Sequence, residues 1–102
     1  MTTLEVKKDK NLFRTRNIFV ECGFQRGNYF SSGWLSYCEA DYICYFDTAA
    51  NRGVIVDREK LLHLLDKGKV ISFYDKTDDK MGKAVLVPLA VAKSAIVYEW
   101  RE

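Results

Sequence analysis

The pattern of apolar and polar positions predicts a chain made mainly of short strands. Residues 17–24 (NIFVECGF) and 41–46 (DYICYF) are rich in β-formers and almost wholly apolar. That pattern is typical of strands buried on both faces. Shorter strands are expected at five further places, namely 3–7, 53–56, 70–74, 84–88 and 95–100. Polar and glycine-containing segments between them predict loops at 9–16, 25–33 and 76–83.

Two helices are expected among these strands. The firm one covers 58–67, where Asp57 is placed to cap the first turn and Gly68 to end the helix. Its apolar stripe consists of four leucines, namely Leu61, Leu62, Leu64 and Leu65. The shorter helix is expected over 34–40. Six or seven strands with two helices predict a single α+β domain over 1–102, built on a mixed, twisted central sheet.

Composition limits the class of protein. The chain has 102 residues, of which 48% are hydrophobic and 14% aromatic, as in soluble globular domains. The apolar runs are too short for a membrane-spanning helix, and the first residues show no secretory signal, so a cytoplasmic protein without membrane contact is expected. The net charge is +2, and the excess of basic residues is concentrated in the first 28 positions.

The cysteine and histidine pattern argues against a zinc site. Cys22, Cys38 and Cys44 contain no C-x-x-C pair, and His63 is the sole histidine. Cys22 and Cys44 lie inside apolar runs and are expected to be small buried residues.

Three charged residues on expected strands are candidates for chemistry. Glu5 and Lys7 are two positions apart, so a strand would project them from the same face. A carboxylate can hold a divalent metal, and a neighbouring ammonium can position water or steady a phosphate. Glu21 lies inside an apolar strand, where a carboxylate is costly to bury unless it is paired or bound to metal. A solvated strand edge, or a simple ion pair for Glu21, would explain the same residues without function.

The order of these short blocks resembles the PD-(D/E)xK nuclease-like proteins of bacteriophages. The blocks are E-V-K, N-I-F-V-E, S-G, A-D-Y with its strand, the D-x-E-K-L helix and K-x-x-L-V-P-L, spanning roughly 4–89. The resemblance implies a restriction-endonuclease-like fold in which the E-x-K triplet lies on a central strand. It further implies that Glu5 and Lys7 are catalytic, and it gives Glu21 a weaker match to an acidic position.

For function, the resemblance implies Mg²⁺-dependent hydrolysis of DNA. Glu5 and Glu21 would hold the metal, and four basic residues would contact DNA phosphates, namely Lys8, Lys10, Arg14 and Arg16. The family's metal-binding aspartate, on a strand before the triplet, has no counterpart here. The chain therefore looks like a nuclease domain truncated at the front of the fold.

The alternative is a binding protein that has lost catalytic activity. Such a phage protein would act in the host cytoplasm and inhibit a nucleoprotein effector of host defence, of the anti-CRISPR or anti-restriction type. Its contact residues are expected in the aromatic and charged loops, namely Arg26, Tyr29, Phe30 and Trp34. Truncation would also leave an open sheet edge beside 3–7, which predicts a homodimer or docking through that edge or through an aromatic surface.

Overall fold

The computed structural model describes the backbone of residues 2–26, 29–32, 40–76 and 79–101, and the side chains of these except 22–26, 29–32 and 75. This part of the chain contains eight strands and four short helical segments. In chain order they are β1 (Leu4–Lys8), α1 (Leu12–Thr15), β2 (Asn17–Arg26), β3 (Tyr29–Ser32), β4 (Tyr42–Asp47), β5 (Arg52–Asp57), α2 (Arg58–Leu62), a 3₁₀ turn (Leu65–Lys67), β6 (Lys69–Asp75), β7 (Lys80–Pro88), α3 (Leu89–Ala92) and β8 (Ile96–Arg101).

The strands form two four-stranded sheets. The first sheet has the order β1-β4-β5-β8 and is mixed, because β1 runs parallel to β4 while the other pairs are antiparallel. The second sheet has the order β3-β2-β7-β6 and is antiparallel. The expected α+β class with a mixed sheet is confirmed. The strands are divided between two sheets, however, where the sequence predicted one central sheet.

One buried apolar cluster contains side chains from both sheets. Its members are Ile43, Tyr45, Val54 and Val56 from the first sheet, Ile18, Val20, Val85 and Val87 from the second, and Leu12, Leu61 and Ala92 from the helices. Over residues 17–21 of β2, the part whose side chains are described, buried residues alternate with half-buried ones, so this part buries one face rather than the expected two. β4 also buries Cys44 on its second face, so its two-sided apolar pattern is confirmed.

The firm helix begins where the sequence places it and ends earlier. The Asp57 carboxylate accepts a hydrogen bond of 3.0 Å from the Lys60 backbone N–H, which confirms the predicted cap. Leu61 is fully buried, and the other three leucines of the stripe pack against the core cluster. Regular α-helix stops at Leu62, and the chain reaches Gly68 through a separate 3₁₀ turn.

All three expected loops contain regular structure. The segment 9–16 contains α1, and the segment 25–33 contains the end of β2 and all of β3. The helix α3 at 89–92 was not predicted; like α1 it is about one turn long, too short to show a helical period in sequence. β7 begins at Lys80, so all of 80–83, the second half of the expected loop 76–83, is strand. The charged residues there pair with β6, and Gly82 lies under the Phe73 ring. The short helix expected over 34–40 falls outside the described residues, apart from Ala40.

Candidate functional site

A cavity of about 510 Å³ lies at the end of β1. We call it the strand-end cavity. Its described walls come from β1, the turn that follows, α1, β2, β4 and β7. The described residues that line it are Lys7, Lys8, Asp9, Asn11, Thr15, Asn17, Phe19, Glu21, Tyr45 and Leu86. The volume is within the usual range of ligand sites, about 300 to 1,000 Å³. Apolar and polar side chains are mixed in its lining, as in most such sites.

Local hydrogen bonds shape the wall made by the turn and α1. One Asp9 carboxylate oxygen accepts a 2.8 Å hydrogen bond from the Asn11 backbone N–H, the Asx-type turn expected of aspartate. The Thr15 backbone N–H and hydroxyl both donate to the Asn11 carbonyl at 2.9 Å. Arg16 then ends the helix in the left-handed conformation, with φ of 59°. These contacts fix Asp9, Asn11 and Thr15 on one wall of the cavity.

Lys7 enters the cavity from the first sheet. It pairs in register with Tyr45 on the parallel neighbour β4, so the two side chains project from the same face. Tyr45 is buried and Lys7 half-buried. The strand register therefore places an ammonium group and a phenol side by side in the lining.

Glu21 enters the same cavity from the second sheet. It is half-buried and pairs with Ala84 on β7, immediately before a register shift between Glu21 and Gly23. A shift of this kind marks a β-bulge, which bends a strand and changes the direction of its side chains. Lys7 and Glu21, predicted separately from sequence, are thus brought to one cavity by two different sheets.

The other predicted catalytic residue is placed differently. Glu5 shares a face of β1 with Lys7, as the two-residue spacing predicts, but it pairs with Ile43, is exposed, and is not among the described lining residues. Within the described residues β1 is an edge strand, whereas the family resemblance implies a central strand for the E-x-K triplet.

The predicted nucleic-acid-binding residues are spread over the same region. Lys8 is exposed at the end of β1, and Lys10 is exposed in the turn that follows. Arg14 donates two hydrogen bonds to the Asn11 side-chain oxygen, at 2.9 and 3.2 Å. Arg16 lies apart from them, in the lining of a second cavity of about 470 Å³.

The predicted partner-binding residues lie at the β2–β3 hairpin or beyond it. Arg26 pairs with Tyr29 and Gln25 with Phe30 along the hairpin backbone. The side chains of Arg26, Tyr29 and Phe30, and the whole of Trp34, lie outside the described part of the structure, so this surface stays a prediction.

Among the lining residues that were not predicted from sequence, Asp9 and Tyr45 carry side chains suited to chemistry. Asp9 fell in an expected loop, although its spacing from Asn11 is that of an Asx turn. Tyr45 was counted only as part of a buried strand. With Asp9 and Glu21, the cavity offers two carboxylates, which are the oxygen ligands that Mg²⁺ prefers. No group of three or more histidine, cysteine, aspartate or glutamate side chains suited to a metal occurs among the described residues.

Comparisons of the chain with protein-family models, with curated proteins and with solved structures found no match. In the ranges that the structure describes, no helix is long and apolar enough to cross a membrane.

Proposed function

We propose that the strand-end cavity binds a phosphodiester of nucleic acid and that this protein cleaves it with the help of Mg²⁺. The observation that carries the proposal is the presence of Lys7, Asp9 and Glu21 in the lining of one cavity. Lys7 and Asp9 are two positions apart at the end of β1, and the packing of β2 from the other sheet brings Glu21 into the same lining.

The charges of the lining favour metal-assisted chemistry over simple phosphate binding. Two carboxylates would repel a phosphate, unless a divalent cation lies between the like charges. Mg²⁺ is commonly held by one or two carboxylates, with water and substrate oxygens completing its shell. Asp9 and Glu21 would hold the ion in this cavity. Bound there, it would neutralise charge on the phosphate and activate a water molecule.

The chain's own groups have separate roles in this proposal. The Lys7 ammonium would bind a non-bridging phosphate oxygen and steady the charge that develops there. The Asn11 backbone N–H holds one Asp9 oxygen, which orients that carboxylate. Lys10, exposed in the adjoining turn, and Arg14 on α1 would contact neighbouring phosphates and make binding weaken as salt rises.

The proposal changes one residue of the metal pair that the sequence suggested. Glu21 and Lys7 keep their predicted roles, while Asp9 takes the role first given to Glu5. In this proposal Asp9 would do the metal-binding work of the family's aspartate, although it follows the E-x-K triplet instead of preceding it. The restriction-endonuclease-like fold and phage origin belong to the same proposal, and they are supported by the order of the sequence blocks.

Cleavage assays with matched variants test the assignment. Plasmid and single-stranded DNA would be incubated with Mg²⁺, with Mn²⁺ and with EDTA. We expect Lys7→Ala, Asp9→Asn and Glu21→Gln to lose cleavage, and Glu5→Gln, a matched carboxylate on the same strand as Lys7, to keep it. Asp9→Asn retains the side-chain oxygen that accepts the hydrogen bond from Asn11. A loss of cleavage in this variant would therefore report on the negative charge of the carboxylate. Loss in Glu5→Gln with full activity in Asp9→Asn would overturn the assignment of Asp9.

The second candidate is the binding protein without catalytic activity that was inferred from sequence. Its supporting feature in the structure is that β1 is an edge strand within the described residues, the position from which docking was expected. Absence of cleavage by the folded wild-type protein in both metals would favour this candidate and contradict the phosphodiesterase.

A further inference from the structure

The face of the first sheet that points away from the core is apolar on all four strands. Strand register places Val6, Cys44, Ile55 and Tyr98 in one row across the sheet. The flanking rows add Leu4 and Tyr42 on one side, and Phe46 and Trp100 on the other. We call these eight residues the outer apolar face. The residues that alternate with them on β4 and β5, such as Ile43 and Val56, belong to the core cluster.

Much of the outer apolar face is accessible to solvent. Leu4 is 51% exposed, Val6 56% and Tyr98 58%. The Trp100 ring lies over Gly53 and stacks between two other rings. Its centroid is 5.9 Å from that of Phe46, with 7° between the ring planes, and 6.5 Å from that of Tyr98, with 17° between the planes. The aromatic part of the face is therefore organised without a partner, and little side-chain freedom remains to be lost on association.

An antiparallel or mixed sheet that packs one face on a core normally turns a polar face to water. Here both faces are apolar. From strand spacing and rise per residue, four strands of about five residues present a flat area on the order of 300 Å². Apolar patches of about 300 to 600 Å² on monomers are often functional, so a partner for this face is expected.

We propose that the outer apolar face binds a second copy of this chain. The face carries too little positive charge for nucleic acid, since single strands bind through a positively charged groove as well as through aromatic stacking. The charged residues on the described part of this face are Lys8 and Asp57, one of each sign. A face with so little net charge does not select a strongly charged partner.

The positions of these two charges fit a twofold dimer. Lys8 lies at the end of β1 beside Phe46, and Asp57 at the end of β5 beside Tyr42, so Cys44 lies midway along the diagonal that joins them. A twofold axis lying in the face at Cys44 would bring each Lys8 opposite Asp57 of the partner subunit. The central rows would then cross at a steep angle, in the manner of orthogonal sheet packing.

The small area of the face indicates a weak dimer. A standard interface buries about 800 Å² on each partner, and weak, transient contacts are smaller. A face on the order of 300 Å², enlarged by its side chains, belongs to the weak class. We therefore expect monomer and dimer in rapid exchange, with the dimer populated only at high protein concentration.

Sedimentation velocity over a range of protein concentrations tests the proposal. The wild type is expected to show a sedimentation coefficient that rises with concentration. Val6→Lys and Tyr98→Lys are each expected to weaken association about tenfold or more, because each buries a charge in the centre of the face. Val70→Lys is the matched control, since Val70 is 64% exposed on β6 of the second sheet. It should associate like the wild type.

Charge substitutions test the diagonal pairing. Lys8→Glu is expected to weaken the dimer by placing a carboxylate opposite Asp57, and adding Asp57→Asn, which keeps the side-chain oxygen that caps α2, is expected to restore part of the loss, with circular dichroism confirming the fold of each variant. A wild type that stays monomeric at all concentrations would overturn the proposal. So would a dimer that Val6→Lys leaves intact, or one that Val70→Lys disrupts equally. Cleavage by the strand-end cavity plays no part in these outcomes, so the two proposals can fail separately.

Discussion

The Asp47 carboxylate accepts a hydrogen bond of 2.9 Å from the backbone N–H of Phe13, 34 positions earlier in the chain. Its other oxygen accepts from the backbone N–H groups of Ala49 and Ala50, each at 3.0 Å. Asp47 is only 1% exposed. One buried carboxylate thus ties the β4–β5 turn to α1, the helix that forms a wall of the strand-end cavity.

Removing that carboxylate is expected to destabilise the protein strongly. Asp47→Ala leaves three backbone N–H groups without their acceptor, at a cost of about 2 to 4 kcal/mol in the free energy of unfolding. Urea denaturation followed by circular dichroism measures this cost. Asp66→Asn, an exposed aspartate in the 3₁₀ turn, is the control and should change stability little. Similar losses in the two variants would contradict the role of Asp47.

Asp47 should also make stability depend on pH in the acid range. Burial acts to raise the pKa of this carboxyl, but the N–H groups of Phe13, Ala50 and Ala49 and the charge of Arg52 outweigh it, so the pKa lies below its ordinary value of 3.8. The unfolded chain therefore binds the proton more readily than the folded one. The stabilisation is complete above the ordinary pKa and is lost as pH falls below it.

Urea midpoints measured from neutral pH down to the acid limit of folding test this dependence. The wild type should lose more stability than Asp47→Asn over the same interval, because the amide does not titrate. Parallel curves for the two proteins would show that the pKa of Asp47 is not lowered by folding.

Much of the fold follows from patterns that are visible in sequence. The expected strands lie close to those observed, and Asp57 caps its helix, because β-rich runs and capping residues act locally. The division into two sheets was missed, since alternation shows which residues share a face but not which strands become neighbours. The helices α1 and α3 were missed because one turn is too short to show a period.

The site was predictable only in part, for a related reason. Lys7 and Glu21 stood out because charged residues on apolar or alternating strands are unusual. Asp9 and Tyr45 did not stand out, since one lies in a polar segment and the other in an apolar strand. Their place in the cavity depends on how β4 and the turn before α1 pack, which is a long-range property of the fold.

The close contact of Gly53 with the Trp100 ring predicts a specific coupling. A Cβ at residue 53 would overlap the indole, so Gly53→Ala should displace the ring from Phe46 and lower stability by about 1 to 3 kcal/mol. The same substitution in a Trp100→Ala background should cost much less. A double-mutant cycle measures the difference, and equal costs in the two backgrounds would contradict the contact.

Cys44 is expected to be an unreactive thiol in the folded protein. It is buried at the centre of the outer apolar face, and burial raises its pKa, which lowers the fraction of reactive thiolate. In a Cys22→Ser/Cys38→Ser variant, Cys44 should react with an aromatic disulfide reagent at least about tenfold more slowly when folded than in denaturant. Equal rates would show that Cys44 is accessible. If the proposed dimer forms, higher protein concentration should slow the reaction further.

The most direct test of the proposed function is a comparison of three carboxylate variants in one cleavage assay. Wild type, Asp9→Asn, Glu21→Gln and Glu5→Gln would be incubated with labelled single-stranded DNA and with plasmid in Mg²⁺. Cleavage by the wild type and by Glu5→Gln, with loss in the other two variants, is the predicted result. A folded wild type that leaves both substrates intact in Mg²⁺ and in Mn²⁺ would contradict a phosphodiesterase site in this cavity.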